Sequence, residues 1–127
     1  MANQTLAALP DTFTIYSLPV NAQIPSQVLN APLYFIGKTH DELSIVVPQT
    51  VKLESDESDH NWRVLEILGP LDLSMVGIMA QIGSVLAAAK ISIFVVSTFE
   101  TDYFLIKQNN LKSAAIALEN ERYKVIL

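Results

Sequence analysis

Two short stretches hold the side chains of this chain that could do chemistry. The first is Asp72-Leu73-Ser74-Met75-Val76-Gly77-Ile78, a run of small and polar residues leading into an apolar helical pattern. The second is Ser97-Thr98-Phe99, with Asp102 three residues further on. An Asp or Ser at a helix start can accept hydrogen bonds from the unpaired amides of the first turn. If those amides stay free, the same helix start can hold a carboxylate instead. Gly77 permits close backbone approach to a ligand, or simply tight packing. The hydroxyls of Ser97 and Thr98 can fix an amine or a carboxylate, or they can end a strand by bonding local backbone. Asp102 can receive an amino group, or it can shape a turn with Thr98 or Thr101.

Other chemistries find little support. There is no cysteine, hence no disulfide framework, thiol nucleophile or thiolate metal site. His40 falls in a turn and His60 in an acidic segment, without further ligands at metal spacing. Glu66 and Asp72 make no persuasive acid–base pair, and no glycine-rich phosphate loop or Ser-His-Asp set stands out. No catalysis, cofactor or metal is expected. The net charge of -5 argues against a nucleic-acid surface. No basic segment followed by an apolar run opens the chain, and the longest apolar helix is too short to span a membrane. A soluble, cytoplasmic protein is expected.

The elements that position these residues follow from periodicity. Strands are predicted over 13–18, 33–37, 43–47, 63–68, 92–98, 102–107 and 123–126 from runs of β-branched and aromatic residues. Pro25 opens a helical turn or two. Met75, Ile78, Met79, Ile82, Val85, Leu86 and Ala89 recur at helical spacing and predict one apolar core face over 75–89. A second helix is predicted over 110–120 with Asn110 as its N-cap. Residues 54–61 are acidic and polar, and read as a solvated connector. Ile93, Phe94, Val95 and Val96 make a strand that is apolar on both faces, as central strands are. Helices covering one face leave the other in need of cover. With only 17% charged residues in 127, that need predicts a homodimer or higher oligomer.

Shifting the chain by sixty residues lays 33–47 over 93–107, strand on strand and turn on turn, with Glu42 over Asp102. The pattern suggests two related units: a truncated one over 1–61, including the acidic connector, and a complete βαββαβ unit over 62–127.

The stretch Ile67-Leu-Gly-Pro-Leu-Asp-Leu-Ser-Met-Val-Gly-Ile, followed by Leu86-Ala-Ala-Ala-Lys-Ile-Ser-Ile-Phe-Val-Val-Ser-Thr-Phe-Glu-Thr-Asp-Tyr-Phe-Leu-Ile-Lys, resembles the ACT domains, in particular small tandem ACT proteins of the kind seen among amino-acid sensors. The resemblance implies an α+β, ferredoxin-like fold with helices on one face of antiparallel sheets, preceded by a truncated ACT-like unit. It implies a regulatory or sensory protein that binds a small molecule, often an amino acid, without catalysis. The alternative is a structural or protein-interaction module whose pocket its own side chains close. Ligands in that family meet the first loop and helix start, here Asp72 through Ile78, and the opposite strand end, here Ser97, Thr98 and Phe99 with Asp102 near. The order Gly69-Pro70-Leu71-Asp72 departs from the Asp then Pro-Gly of many family members.

Overall fold

The computed structural model describes residues 4–68 and 77–127. They form two compact units, one of Met1–Pro10 with Arg63–Leu127 and the other of Asp11–Trp62. The expected elements form: β2 (Phe13–Leu18), α1 (Ser26–Leu29), β3 (Phe35–Lys38), β4 (Leu43–Pro48), α2 (Ile78–Ala88), β6 (Phe94–Ser97), β7 (Asp102–Lys107), α3 (Leu111–Asn120) and β8 (Lys124–Ile126). Two features lie outside that expectation. Residues 5–8, which carry no strong alternation, form β1 (Thr5–Ala8). The connector is also shorter than its composition suggests, because β5 runs over Glu57–Leu68 and takes in its last five residues. Those residues are exposed, so backbone pairing and not apolar burial makes them a strand.

In the unit of Asp11–Trp62, β3, β4, β2 and the first half of β5 pair antiparallel in that order. Tyr16, Val28, Leu43, Ile45 and Val47 form its core. The register of β5 against β2 shifts between Phe13 and Ile15, which face Trp62 and Asp59. Asn61 takes up the extra residue with φ 67°, a conformation asparagine tolerates better than most residues. Gln49 clamps it from both sides, accepting from the Asn61 amide at 2.8 Å and donating to its side-chain oxygen at 3.1 Å. His60, adjacent, has Nδ1 3.0 Å from the buried Thr14 hydroxyl of β2 and Nε2 3.1 Å from Ser58 Oγ of its own strand, so one ring nitrogen bridges the strands and the other bonds within β5.

The other unit carries the ferredoxin-like sheet. β6 pairs antiparallel with β7, and β7 pairs with the second half of β5. β1 then lies between β5 and β8, antiparallel to the first and parallel to the second. Leu65 and Ile67 of β5, Phe104 and Ile106 of β7, and Leu6 of β1 point to one face. There Ile82 and Leu86 of α2 and Leu111, Ala114 and Leu118 of α3 pack onto them. Both helices therefore cover the same face. On the opposite face Val64 and Leu105 are also fully buried.

Helix ends differ from the expectation in one respect. Asn110 stands at the N-cap position of α3 but makes no side-chain capping bond. Its φ and ψ of -105° and -1° are not the extended backbone a capping side chain needs. A 3₁₀ turn over Gln108–Asn110 leads into the helix instead. Both longer helices close without glycine. Lys90 and Arg122 adopt φ 62° and 73°, and the amides of Ile91 and Tyr123 bond back to the carbonyls of Leu86 and Leu118.

Leu86 is completely buried between helix and sheet. Leu86→Ala should lower the unfolding free energy by about 2–5 kcal/mol, measured by urea denaturation, with the slope of the transition unchanged.

Candidate functional site

The chain geometry at the end of the β6–β7 hairpin defines the site. Val95 packs on the helix side of the sheet, and so does its cross-strand partner Phe104. Side chains alternate along strands, so Ser97 and Asp102, two residues away on each strand and paired with each other, point to that same side. Directly opposed residues in such a pair hold their Cβ atoms about 4.5–5.5 Å apart. A hydroxyl and a carboxylate thus stand side by side, facing the first turn of α2.

The helix start meets them there. Ser97 Oγ donates to Met79 Sδ at 3.8 Å. The N-cap of α2 is Gly77, in the left-handed conformation with φ 79°. Glycine takes this conformation without strain, and it offers no side chain to cap the helix. Its carbonyl accepts from the Gln81 amide at 2.8 Å, beginning the helical ladder. The amides of the first turn before Gln81 have no acceptor within the helix. Asp72, Leu73, Ser74, Met75 and Val76 lie outside the described residues, and the cap position expected for Asp72 or Ser74 belongs to Gly77.

The alternatives at the hairpin separate residue by residue. Thr98 belongs to the turn: its amide and its hydroxyl both donate to the Thr101 carbonyl, at 2.8 and 3.0 Å, and its Oγ1 accepts from the Thr101 amide at 3.3 Å. Thr101 Oγ1 ties the turn to β5 by donating to the Ile67 carbonyl at 2.8 Å. The turn is thus made by Thr98 and Thr101, and none of its hydrogen bonds uses the Asp102 carboxylate. Phe99, at the tip, is 89% exposed. Ile78 is half-buried.

Met79 departs from its expected place in the core. It is 43% exposed. The sulfur contact puts the first turn of α2 level with Ser97, the last residue of β6, where the sheet beneath the helix ends. Helical spacing marks the apolar side of α2 but cannot show where along the helix its cover stops. Spacing in the sequence does not mark Tyr103 and Glu66 as partners. They meet on the sheet face opposite the helices, where Tyr103 Oη donates to Glu66 Oε2 at 3.2 Å. Partial burial, and then the charge of Glu66 and its hydrogen bond, push the Tyr103 phenol above its usual value of 10.0.

The unit of Asp11–Trp62 has a concavity of its own. Asp41, Glu42, Glu54, Asp56 and Glu57 line a cavity of about 530 Å³, and the Ser17 hydroxyl donates to Glu42 Oε2 at 3.2 Å. Residues 11–62 hold seven carboxylates against two lysines, so this unit accounts for the whole chain's net charge of -5. Among the described residues no three His, Asp or Glu side chains gather as a metal-holding group, and no helix is long and apolar enough to cross a membrane.

The strand order, with two helices on one face of a largely antiparallel sheet, defines an α+β domain of ferredoxin-like type. The ACT domain model matches residues 57–120. The chain belongs to the ACT domain family. It is similar to the human "Cytosolic arginine sensor for mTORC1 subunit 1", 37% identical over 71 residues; the match takes in 55% of this chain and 22% of that protein's length. The bovine counterpart matches to the same extent. Among solved structures, protein Atu0741 from Agobacterium tumefaciens superposes with a TM-score of 0.85 at 31% identity, over 100% of this chain and 95% of the other. The ligand-free regulatory subunit of aspartate kinase from Thermus thermophilus shares the fold, with a TM-score of 0.67 at 12% identity over 94% and 97% of the two chains.

Because the folded state keeps the Tyr103 proton more tightly than the unfolded chain does, its contribution is complete below about pH 10 and is lost as pH rises through the folded value. Wild-type protein should therefore lose stability above pH 10 more steeply than Tyr103→Phe, compared by denaturant melts across that range.

Proposed function

We propose that this protein is a regulatory or sensory ACT protein that binds an amino acid or a similar small metabolite, without catalysis of its own. One observation carries the reading: the register that opposes Ser97 to Asp102 on the side of the sheet facing the first turn of α2. The first-turn amides of α2 and the Ser97 hydroxyl suit a ligand carboxylate. The Asp102 carboxylate, unused by its own turn, suits an ammonium group. The name of the relative in the preceding section makes arginine the first amino acid to test, and its word "cytosolic" supports a cytoplasmic location. The competing reading, an interaction module with a self-filled pocket, needs a large side chain folded over the cleft. Of its two named candidates, Phe99 is 89% exposed instead, and Met75 lies outside the described residues.

The same exposure supports assembly as a homodimer. Phe99 stands clear of the surface and β6 ends the sheet of its unit, with Phe94 and Val96 only half-buried. A second copy against this edge would cover them, as closed twofold pairing commonly does.

A thermal-shift screen of the twenty amino acids tests the binding function. A ligand at a hundredfold excess over its Kd should stabilise the native state by about 2.7 kcal/mol. Asp102→Ala should abolish that shift and leave the melting temperature of the free protein within error of wild type. A screen at millimolar concentration with no shift, repeated by calorimetry, would overturn the reading. Sedimentation at micromolar concentration should show a dimer, and a purely monomeric boundary would remove the assembly proposal.

A further inference from the structure

The two hydroxyls at the end of β6 differ in how firmly they are held. Thr98 Oγ1 takes part in two hydrogen bonds with Thr101 and is fixed by the turn. Ser97 Oγ donates to a thioether sulfur at 3.8 Å. Sulfur of this kind is a weak acceptor, so the Ser97 hydroxyl is the one that can change partners at small cost. The side chain that holds it is suited to moving. Methionine is unbranched, with three rotatable bonds and a polarizable sulfur, and Met79 is 43% exposed on the first turn of α2. The hydroxyl it holds is the cross-strand neighbour of the Asp102 carboxylate.

We propose that Met79 is the specificity-determining gate of this site: its thioether occupies the Ser97 hydroxyl while the site is empty and yields it to the carboxylate of an α-amino acid. The inference rests on the binding function proposed above and adds a residue to it. The released hydroxyl donates to the ligand carboxylate while Asp102 accepts from the ligand ammonium, so the pair reads a zwitterionic head group. Met79, turned outward, then lies over the ligand's stem. A ligand with no acceptor at that position, such as the decarboxylated amine, has nothing to exchange for the thioether and leaves the gate in place. Met79 is a positioning residue here, acting through Ser97.

The test is a double-mutant cycle read by titration calorimetry, using L-arginine and every other standard amino acid that raises the melting temperature of the wild type. Met79→Leu keeps the volume and removes the sulfur acceptor. It should tighten binding by about two- to tenfold, the worth of one ordinary hydrogen bond freed from competition. Ser97→Ala should weaken binding by a similar factor, and in the double variant the gain from Met79→Leu should vanish. The decarboxylated amine of the same amino acid, which offers the hydroxyl no acceptor, should bind wild type and Met79→Leu equally. If the wild type binds an amino acid but Met79→Leu changes its affinity by the same factor with and without the Ser97 hydroxyl, or not at all, the gate is wrong and the binding function stands. If none of the twenty binds the wild type, the binding function fails and the gate fails with it.

Discussion

The burial of α2 and α3 on one face of the β6-β7-β5-β1-β8 sheet is the constraint on which the rest of the second unit depends. Ile82 and Leu86 from one helix and Leu118 from the other are fully buried in the same cluster as Leu65, Phe104 and Ile106. Each such side chain contributes roughly 1.5–3 kcal/mol relative to exposure. Because side chains in a strand alternate, committing Phe104 and Val95 to that face also commits Asp102 and Ser97. A register slip of one residue in the hairpin would send the apolar pair to the other face and the polar pair with it. The hydrophobic core thereby aims the two residues that the helix start faces.

The hairpin turn secures this aim by other means. Thr98 and Thr101 bond each other, and Thr101 also bonds the Ile67 carbonyl. That last bond joins the turn to β5. The turn therefore needs nothing from Asp102, and a carboxylate at a strand end is left without a structural duty. The same division of labour appears at the helix start, where Gly77 sets the entry to α2 through its backbone conformation alone. At both places geometry is carried by backbone and threonine.

The two units distribute charge unequally although they share a pattern. Residues 11–62 carry all of the net charge, with five carboxylates around one cavity, whereas the unit built on α2 and α3 balances its acids and bases. In the acidic unit the turn residue that matches Asp102 in the sixty-residue repeat is Glu42, and it does have a partner, the Ser17 hydroxyl.

Much of this was legible in the sequence. The change of period from two to 3.6 and back located the strands and helices of the βαββαβ unit, except for the start of β5, because burial of one face imposes that period. The resemblance at 67–78 and 86–107 gave the family, and its hairpin located Ser97 and Asp102 as neighbours. Other features came only from the tertiary structure. β1 has four residues and little alternation, and it is a strand because β5 and β8 offer it hydrogen bonds on both edges. Residues 57–61 look like a linker by composition, yet pairing with β2 makes them a strand, since hydrogen bonds between backbones are indifferent to side-chain polarity. Met79 reads as core by spacing, but the sheet stops short beneath it and leaves it on Ser97. Local sequence fixes which side of an element is apolar. Where that side meets its cover, and which polar groups are left free at its edge, depends on lengths and registers that only packing sets.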